Sequence, residues 1–360
     1  MPLSTLSIDG FRNLATTNLD FSPGLNLFSG ENAAGKTSVL ETIYVLGRAS
    51  SFRSSSLDRV IAHGQPRFQL VAQIQQASGR CIPVGVSRKP GQLIARVDSQ
   101  PVRRLSELAA LFPLQWVGGN LHGLIENGPP VRRQFLDWGL FHVKPDYIPV
   151  WKQFRKLIKQ RNAALRSASS PREITVWDRN LVSCSQALDR WRREYLDEIV
   201  CYLSEIMKEF LESSESLAIN YRRGWSADKD YHVVLEDSLA MDREQGFTRS
   251  GPHRADFSLK YQARAVNESL SRGQQKLLVI GLKLSQAMLL KKQIGTHSLF
   301  LLDDLGAELD NLNQARVMRR LIDLDAQVFA TAIDFPVMDK LSGANIRRFH
   351  VKHGEVREVV

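Results

Sequence analysis

The chain has few of the residues that build disulfide frameworks or metal clusters. Its three cysteines, Cys81, Cys184 and Cys201, lie far apart and form no CxxC pair. Its eight histidines include no HxxxH pair. An odd number of dispersed cysteines excludes both a disulfide-stapled domain and a cysteine zinc site. We therefore expect a protein of a reducing, cytoplasmic compartment.

The sequence also lacks a long apolar run. Its most apolar stretch, residues 277–290, is interrupted by Lys283, Ser285 and Gln286 and is too short to span a bilayer. Residues 1–14 are polar and interrupted, with no apolar signal core. We expect no membrane association.

Acidic residues are outnumbered, with 38 Asp and Glu against 48 Lys and Arg and a formal net charge of +10. A basic balance favours polyanionic partners, either nucleic acid or anionic lipid, but is weak evidence by itself. A length of 360 residues exceeds what one core usually holds, so we expect two structural units.

The hydrophobic pattern predicts two α/β segments that flank a helical one. Short β-like segments dominate the first hundred residues, and continuous apolar strands alternate with helices after residue 257, as in a parallel sheet covered on both faces. Between them we expect a helix over 145–166 and another of up to forty residues from the Ser170 N-cap, joined as an antiparallel hairpin. The predicted division is 1–113, 114–256 and 257–360.

A phosphate-binding loop is predicted near the N-terminus. Residues 30–37 match GxxxxGK[ST], follow the apolar strand at 25–28 and precede a helix. In such loops backbone N–H groups surround phosphate oxygens, the lysine reaches the β- and γ-phosphates, and the Thr hydroxyl binds Mg²⁺. The predicted ATP-binding residues here are Gly30, Glu31, Asn32, Ala33, Ala34, Gly35, Lys36, Thr37 and Ser38.

The matching acidic motif is predicted at 298–304, where an apolar strand ends in two aspartates. Asp303 is expected to hold Mg²⁺ together with Thr37. Asp304 is expected to orient or deprotonate the attacking water, so that Asp304 and Lys36 are the candidate catalytic residues.

A third motif separates this chain from simple P-loop kinases and GTPases. Residues 270–276 read Leu-Ser-Arg-Gly-Gln-Gln-Lys and open a helix, whose free N–H groups favour an anion. They resemble the LSGGQ signature of ABC-type ATPases, with Arg272 in place of the first Gly. That resemblance implies that Ser271, Gly273 and Gln274 contact the γ-phosphate held by a second subunit.

Basic residues concentrate in the helical segment. Residues 127–166 hold nine Lys and Arg against two Asp, which gives +7 of the chain's +10. Lys152, Arg155, Lys156 and Lys159 follow a helical i, i+3, i+4, i+7 spacing and are expected to share one face. They are the predicted DNA-binding residues, on a surface that tracks phosphates without reading sequence.

The motifs together resemble the RecF family of SMC-like ABC ATPases over essentially the whole length. The segments that carry the resemblance are 11–14 (Phe-Arg-Asn-Leu), 128–138 (Gly-Pro-Pro-Val-Arg-Arg-Gln-Phe-Leu-Asp-Trp) and 250–256 (Ser-Gly-Pro-His-Arg-Ala-Asp). The fold implied is an α/β ABC/SMC-type ATPase head with an inserted helical lid domain. The resemblance departs at Gly119–Asn120, where relatives are expected to carry Pro and an acidic residue.

The resemblance implies a function and its partners. Members of the family bind ATP with Mg²⁺, form an ATP-dependent homodimer, and bind single- and double-stranded DNA. They work with RecR and RecO to help load RecA at gaps, in replication-linked repair and the SOS response. Arg12 is implied as a phosphate contact and Gln115 as a Q-loop residue.

Two other functions share part of this pattern. The ATP-binding subunit of an ABC transporter has the same three motifs but lacks a basic insertion of long helices. A P-loop kinase of a small metabolite lacks the signature helix. Because Asp304 stands where transporters carry Glu, we also expect slow ATP turnover that acts as a switch.

Overall fold

The computed structural model describes residues 2–76, 79–119, 121–167, 169–211, 217–335 and 345–359. The chain divides into two compact units, residues 1–121 with 290–360 and residues 122–289. The second unit extends beyond the expected boundary at 256/257 and includes most of the helix that follows the signature. The three-part division predicted from sequence stays a prediction.

The N-terminal part of the first unit is mainly β-structure. Its strands are β1 (Leu3–Asp9), β2 (Thr17–Asp20), β3 (Leu25–Ser29), β4 (Phe68–Gln75), β5 (Cys81–Lys89), β6 (Gln92–Val97), β7 (Gln100–Pro101) and β8 (Leu114–Val117), and its helices are α1 (Lys36–Arg48) and α2 (Leu105–Leu111).

The second unit is mainly helical. Its helices are α3 (Gly123–Glu126), α4 (Pro129–Val143), α5 (Tyr147–Arg166), α6 (Pro171–Thr175), α7 (Asp178–Leu211), α8 (Tyr231–Asp237), α9 (Leu239–Gln245), α10 (Val266–Ser269) and α11 (Arg272–Ile294), and its strands are β9 (Leu217–Arg222), β10 (Asp256–Tyr261) and β11 (Arg264–Ala265).

The chain then returns to the first unit. Its remaining elements are β12 (Leu299–Leu302), α12 (Leu305–Glu308), α13 (Asn311–Asp323), β13 (Gln327–Ala332), β14 (Ile346–Lys352) and β15 (Glu355–Val359).

A mixed sheet of the first unit positions the candidate site. Its order within the described residues is β15-β14-β3-β13-β12-β8, parallel except for the β14–β15 hairpin. Every residue of β12 and β13 is buried, as expected for strands covered on both faces. The strands β3, β12 and β13 run parallel, so their carboxyl ends lie at one edge of the sheet. Gly30 follows β3, Asp303 follows β12, and Thr331 is the penultimate residue of β13, so the three residues meet at that edge.

An antiparallel sheet covers the same core. Its order in the described chain is β2-β1-β4-β5-β6-β7, and its inward residues alternate with outward ones, as along β4. Leu6 of this sheet, Ile43 of α1 and Phe329 of the mixed sheet are fully buried in one hydrophobic cluster. Burial of apolar surface from three layers is therefore the main stabilising term of this unit.

The predicted helical hairpin is present in the second unit, but its second arm consists of two helices instead of one. The first helix begins at Tyr147 and packs on α7. The second region divides into α6 and α7 around Val176 and Trp177, although the expected Ser170–Glu173 capping box is formed. The capping prediction was correct, and the prediction of one continuous helix from Ser170 was wrong.

A buried ion network joins the elements of the hairpin. Arg161 of α5 is fully buried, donates to Asp178 at 3.0 Å and to Asp242 at 2.7 Å, and also donates to Thr248 at 2.8 Å. Removal of one partner from such a pair leaves an uncompensated buried charge and costs about 3–5 kcal/mol. Arg161 is therefore structural.

No helix in the described residues is long and apolar enough to cross a membrane.

Candidate nucleotide-binding site and nucleic-acid interface

The P-loop joins β3 to α1 as predicted. Lys36 is the first residue of α1, is 8% exposed, and donates from Nζ to the carbonyls of Gly30 at 2.6 Å and Glu31 at 2.8 Å. Its ammonium group is thus held against the backbone of the loop. A cation at the N-terminus of a helix adds to the positive potential of the free N–H groups and favours a phosphate there.

The loop is supported by the turn of the β14–β15 hairpin. The Gly354 N–H donates to the Ala34 carbonyl at 2.8 Å, and the Ala15 N–H donates to the Gly354 carbonyl at 3.0 Å. Gly354 has a φ of +83°, and a Cβ at this position would lie 1.9 Å from the Asn13 carbonyl oxygen. Gly30 has a φ of +147°, and a Cβ there would lie 2.2 Å from the Val351 carbonyl oxygen. Only glycine permits these backbone approaches.

The acidic motif lies beside the P-loop threonine. The Thr37 hydroxyl donates to the Asp303 carboxylate at 2.9 and 3.2 Å, and the Thr331 hydroxyl donates to Asp303 Oδ1 at 2.7 Å. Asp304 follows with a left-handed φ of +51°, and its N–H donates to Thr331 Oγ1 at 3.0 Å. The structure therefore brings together the two predicted metal ligands and the candidate catalytic aspartate.

This donor set fits the predicted magnesium ion. Mg²⁺ prefers oxygen ligands, and it usually combines one or two protein oxygens with phosphate oxygens and water. Thr37 and Asp303 offer one hydroxyl and one carboxylate that already touch each other. Among the described residues no group of three or more His, Cys, Asp or Glu could hold a metal ion.

A cavity of about 410 Å³ contains most of the predicted nucleotide-binding residues. It is lined by Arg12, Asn13, Asn32, Ala33, Gly35, Lys36, Thr37, Ser38, Arg53, Asp303, Asp304 and Thr331. Gly30, Glu31 and Ala34 belong to the loop but do not line it. Sequence reasoning missed Asn13 and Arg53, although Asn13 lies within the motif that suggested Arg12. It placed residues 331–334 where ABC-type ATPases carry a switch residue but assigned Thr331 no contact.

Two arginines of the cavity wall share one buried carboxylate. Glu41 of α1 is fully buried and accepts from Arg12 at 2.8 and 3.0 Å and from the Ser51 hydroxyl. Arg53 approaches the same carboxylate at 3.7 Å. Glu41 was not predicted from sequence, because a glutamate within an apolar helix carries no local signal of its partners.

Gln115 is placed differently from the other candidates. It lies on β8 in register with Phe300 of β12, is 3% exposed, and does not line the cavity. Its assignment as a Q-loop residue stays a prediction. Of the Gly119–Asn120 pair, Asn120 lies outside the described residues.

The signature segment forms an exposed helix tip in the second unit. The Ser271 N–H donates to Gln274 Oε1 at 2.9 Å, and the Gln274 N–H donates to Ser271 Oγ at 3.3 Å. This reciprocal capping box begins α11. Ser271 and Gly273 are exposed, and a Cβ on Gly273 would meet no atom within 4 Å. The surface over this tip is therefore open to another molecule.

The four predicted DNA-binding residues of α5, Lys152, Arg155, Lys156 and Lys159, are all exposed. Other basic residues of 127–166 have structural partners, which corrects the assignment of the whole +7 to one surface. Arg132 pairs with Asp256 at 2.7 Å, Arg133 donates to the Ala255 carbonyl at 2.9 Å, and Arg161 is buried. Burial acts to raise the pKa of Asp256, but hydrogen bonds from Arg132 and Arg222 outweigh it and lower that pKa.

The chain is similar to known proteins over nearly its whole length. The family model of the RecF/RecN/SMC N terminal domain matches residues 2–357. "DNA replication and repair protein RecF" of Shewanella baltica strain OS223 is 40% identical over 358 residues, 99% of both chains. The protein of the same name from Pseudomonas paraeruginosa is 38% identical over 362 residues, 99% of this chain and 98% of the relative.

Solved structures show the same fold. The structure described as the recombination mediator protein RecF with ATP in the RecFOR pathway superposes with a TM-score of 0.87 at 24% identity, covering 99% of this chain and 97% of the other. An SMC head domain bound to the C-terminal domain of ScpA from Pyrococcus furiosus gives 0.63 at 14% identity, with 99% and 95% covered. The fold is that of an ABC/SMC-type ATPase head, as predicted. The chain belongs to the RecF family.

Proposed function

We propose that this chain is an ATP-dependent DNA-binding recombination mediator. It would dimerise around two ATP molecules, clamp single- and double-stranded DNA, and help load RecA at gaps during replication-linked repair and the SOS response. RecR would be its direct partner in the cytoplasm, and RecO and RecA indirect ones. The observation that carries the proposal is the nucleotide cavity, in which Lys36, Thr37, Asp303 and Thr331 converge.

The residues of the cavity have distinct roles in nucleotide binding. Lys36 and the N–H groups of the loop would neutralise the β- and γ-phosphates, since the ammonium group is already held at the loop. Thr37 and Asp303 would hold Mg²⁺, which when bound neutralises phosphate charge. Asp304 would orient water, and Thr331 would fix the orientation of Asp303 and of the Asp304 backbone.

The signature tip supports the dimer. Its capping box leaves Ser271 and Gly273 exposed, and N–H groups at a helix start favour an anion. A γ-phosphate held by one protomer would bind the tip of its partner, so ATP would join the two copies. Hydrolysis would then release the dimer, which makes ATP a switch.

The transporter alternative is not favoured. Relatives at about 40% identity are named DNA replication and repair proteins, and a transporter subunit lacks a basic insertion of long helices.

The proposal is tested by gel shift across a salt series, with and without ATP. ATP should strengthen DNA binding, and log K should fall with log salt by about 0.9 per phosphate neutralised on duplex. Absence of DNA binding at low salt would refute it.

Two variants separate nucleotide binding from dimerisation. Lys36→Ala should abolish both ATP binding and ATP-driven dimerisation. Ser271→Arg should block dimerisation while the monomer still binds ATP. Normal dimerisation of Ser271→Arg with ATP would contradict the shared-nucleotide arrangement.

A further inference from the structure

A second cavity opens beside α5, with a volume of about 570 Å³. Four cations line it, Arg155, Lys156, Lys159 and Arg166. All four are exposed, and within the described chain none of them forms a salt bridge. Three are among the residues predicted to bind DNA, whereas Lys152 does not line this cavity.

The floor of the cavity is uncharged. We call the floor the four lining residues that are not cations, namely Phe154, Ile158, Asn162 and His253. The rings of Phe154 and His253 lie 6.0 Å apart at an angle of 32°. His253 Nε2 donates to the Thr248 carbonyl at 2.9 Å, and burial lowers the pKa of His253 to about 4. The ring is therefore neutral at pH 7, and the floor offers aromatic and aliphatic contact.

One cation of the rim is held in place. The Arg155 guanidinium lies 4.7 Å from the centre of the Trp151 ring, a cation–π contact that restricts the side chain. A restricted arginine loses less conformational entropy on binding a phosphate than a free one. The rim is thus partly organised for an anion before any ligand binds.

A cationic rim around an uncharged, partly aromatic floor fits a nucleotide whose base enters and whose phosphates stay outside. Proteins bind single strands through this combination of basic groove and ring contacts. A base within a duplex is stacked and paired, so it cannot enter; duplex DNA could use only the rim. We propose that this cavity binds an unpaired base of a single-stranded DNA segment. The inference deepens the DNA binding proposed above and rests on it.

The test removes a floor contact without changing the charge. Ile158 is partly exposed at the cavity, whereas Gln160, two residues along, is exposed and does not line it. Ile158→Ala should weaken binding of an oligothymidine by about fivefold, with duplex binding unchanged within twofold. Gln160→Ala should change neither. Dissociation constants are measured by fluorescence anisotropy at one fixed salt concentration, with single strand and duplex of equal length.

The outcomes separate the alternatives. Equal weakening of single-strand and duplex binding, or weakening of neither, would overturn the base pocket while leaving DNA binding by the protein intact. A wild-type protein that binds neither DNA would overturn the proposed function as well. Because Ile158 is partly exposed, Ile158→Ala should keep the fold, which circular dichroism checks before the binding measurements.

Discussion

At the scale of single residues, Glu41 has the most consequential set of contacts at the nucleotide cavity. Its buried carboxylate binds Arg12, approaches Arg53 and accepts from Ser51. Both arginines line the cavity. Glu41 therefore stabilises the first unit and also holds two cations at the place where phosphates would bind.

Neutralisation of Glu41 should destabilise the protein. Glu41→Gln leaves Arg12 and Arg53 without their countercharge, and a cost of about 2 kcal/mol is expected for a buried partner lost from a partly exposed arginine. Urea-induced unfolding measures it. The matched control is Asp98→Asn, which breaks the exposed Arg80–Asp98 pair and should cost less than about 0.5 kcal/mol. Equal effects of the two variants would contradict a special role for Glu41.

Asp304 provides a second prediction at this scale. The Asp side chain is one methylene shorter than that of Glu, so its carboxylate lies roughly 1.5 Å farther from the attacking water. A misplacement of that size costs about a hundredfold in rate. Asp304→Glu should therefore raise kcat, by up to about a hundredfold, when ATP hydrolysis is measured with DNA present. A fall to the rate of the Asp303→Asn control would refute this view of slow turnover.

At the scale of elements, two helices of the chain begin with comparable side-chain caps. Ser271 caps α11, and Asp310 caps α13 through the Asn313 N–H at 2.9 Å. Loss of either cap should cost about 1 kcal/mol. Only the first lies in the signature segment, so the pair separates a structural effect from a functional one.

The prediction compares Ser271→Ala with Asp310→Ala. Both should lower the free energy of unfolding by about 1 kcal/mol, and only Ser271→Ala should reduce ATP-dependent dimerisation, because it alone removes a hydroxyl from the exposed tip. Unfolding is followed by urea titration and dimerisation by sedimentation velocity. Similar loss of dimer in both variants would show that general destabilisation explains the effect.

Elements with local signals were predictable from the sequence. The P-loop and the Ser170 capping box are each encoded within a few residues. The interruption of the helix at Val176 and Trp177 was not predictable. Trp177 packs against the cluster of Ala164, Leu165 and Ile174, and helical periodicity in the sequence does not reveal such a tertiary contact. For the same reason Arg53 was missed, because a buried carboxylate brings it to the site from a distant position.

At the scale of the whole molecule, charge is divided between structure and surface. Three arginines form contacts within the second unit, namely Arg132, Arg133 and Arg161. The cations that line the cavity beside α5 are exposed to solvent. A count of charges along the sequence could not separate these groups, because burial depends on which helix faces meet. The expected basic surface is consequently smaller than the net charge suggested.

The stability of the molecule should depend on pH through His253. Burial lowers its pKa from 6.5 to about 4, so the unfolded chain binds this proton more readily than the folded one. The resulting stability is present above pH 6.5 and is lost as the pH falls towards 4. His253→Gln should flatten the free energy of unfolding across that window, whereas the exposed His63→Gln should not. An unchanged pH profile in His253→Gln would refute the assignment.

The turn at Gly354 has a consequence for how the protein becomes active. The P-loop is supported by a hairpin that the ribosome makes last among the described elements, and β3 has β13 and β14 as its neighbours. A nascent chain therefore exposes the P-loop sequence long before its supports exist, and such distant pairings form late in folding. Nucleotide binding is thus expected only after synthesis of the hairpin, which keeps incomplete chains from binding ATP.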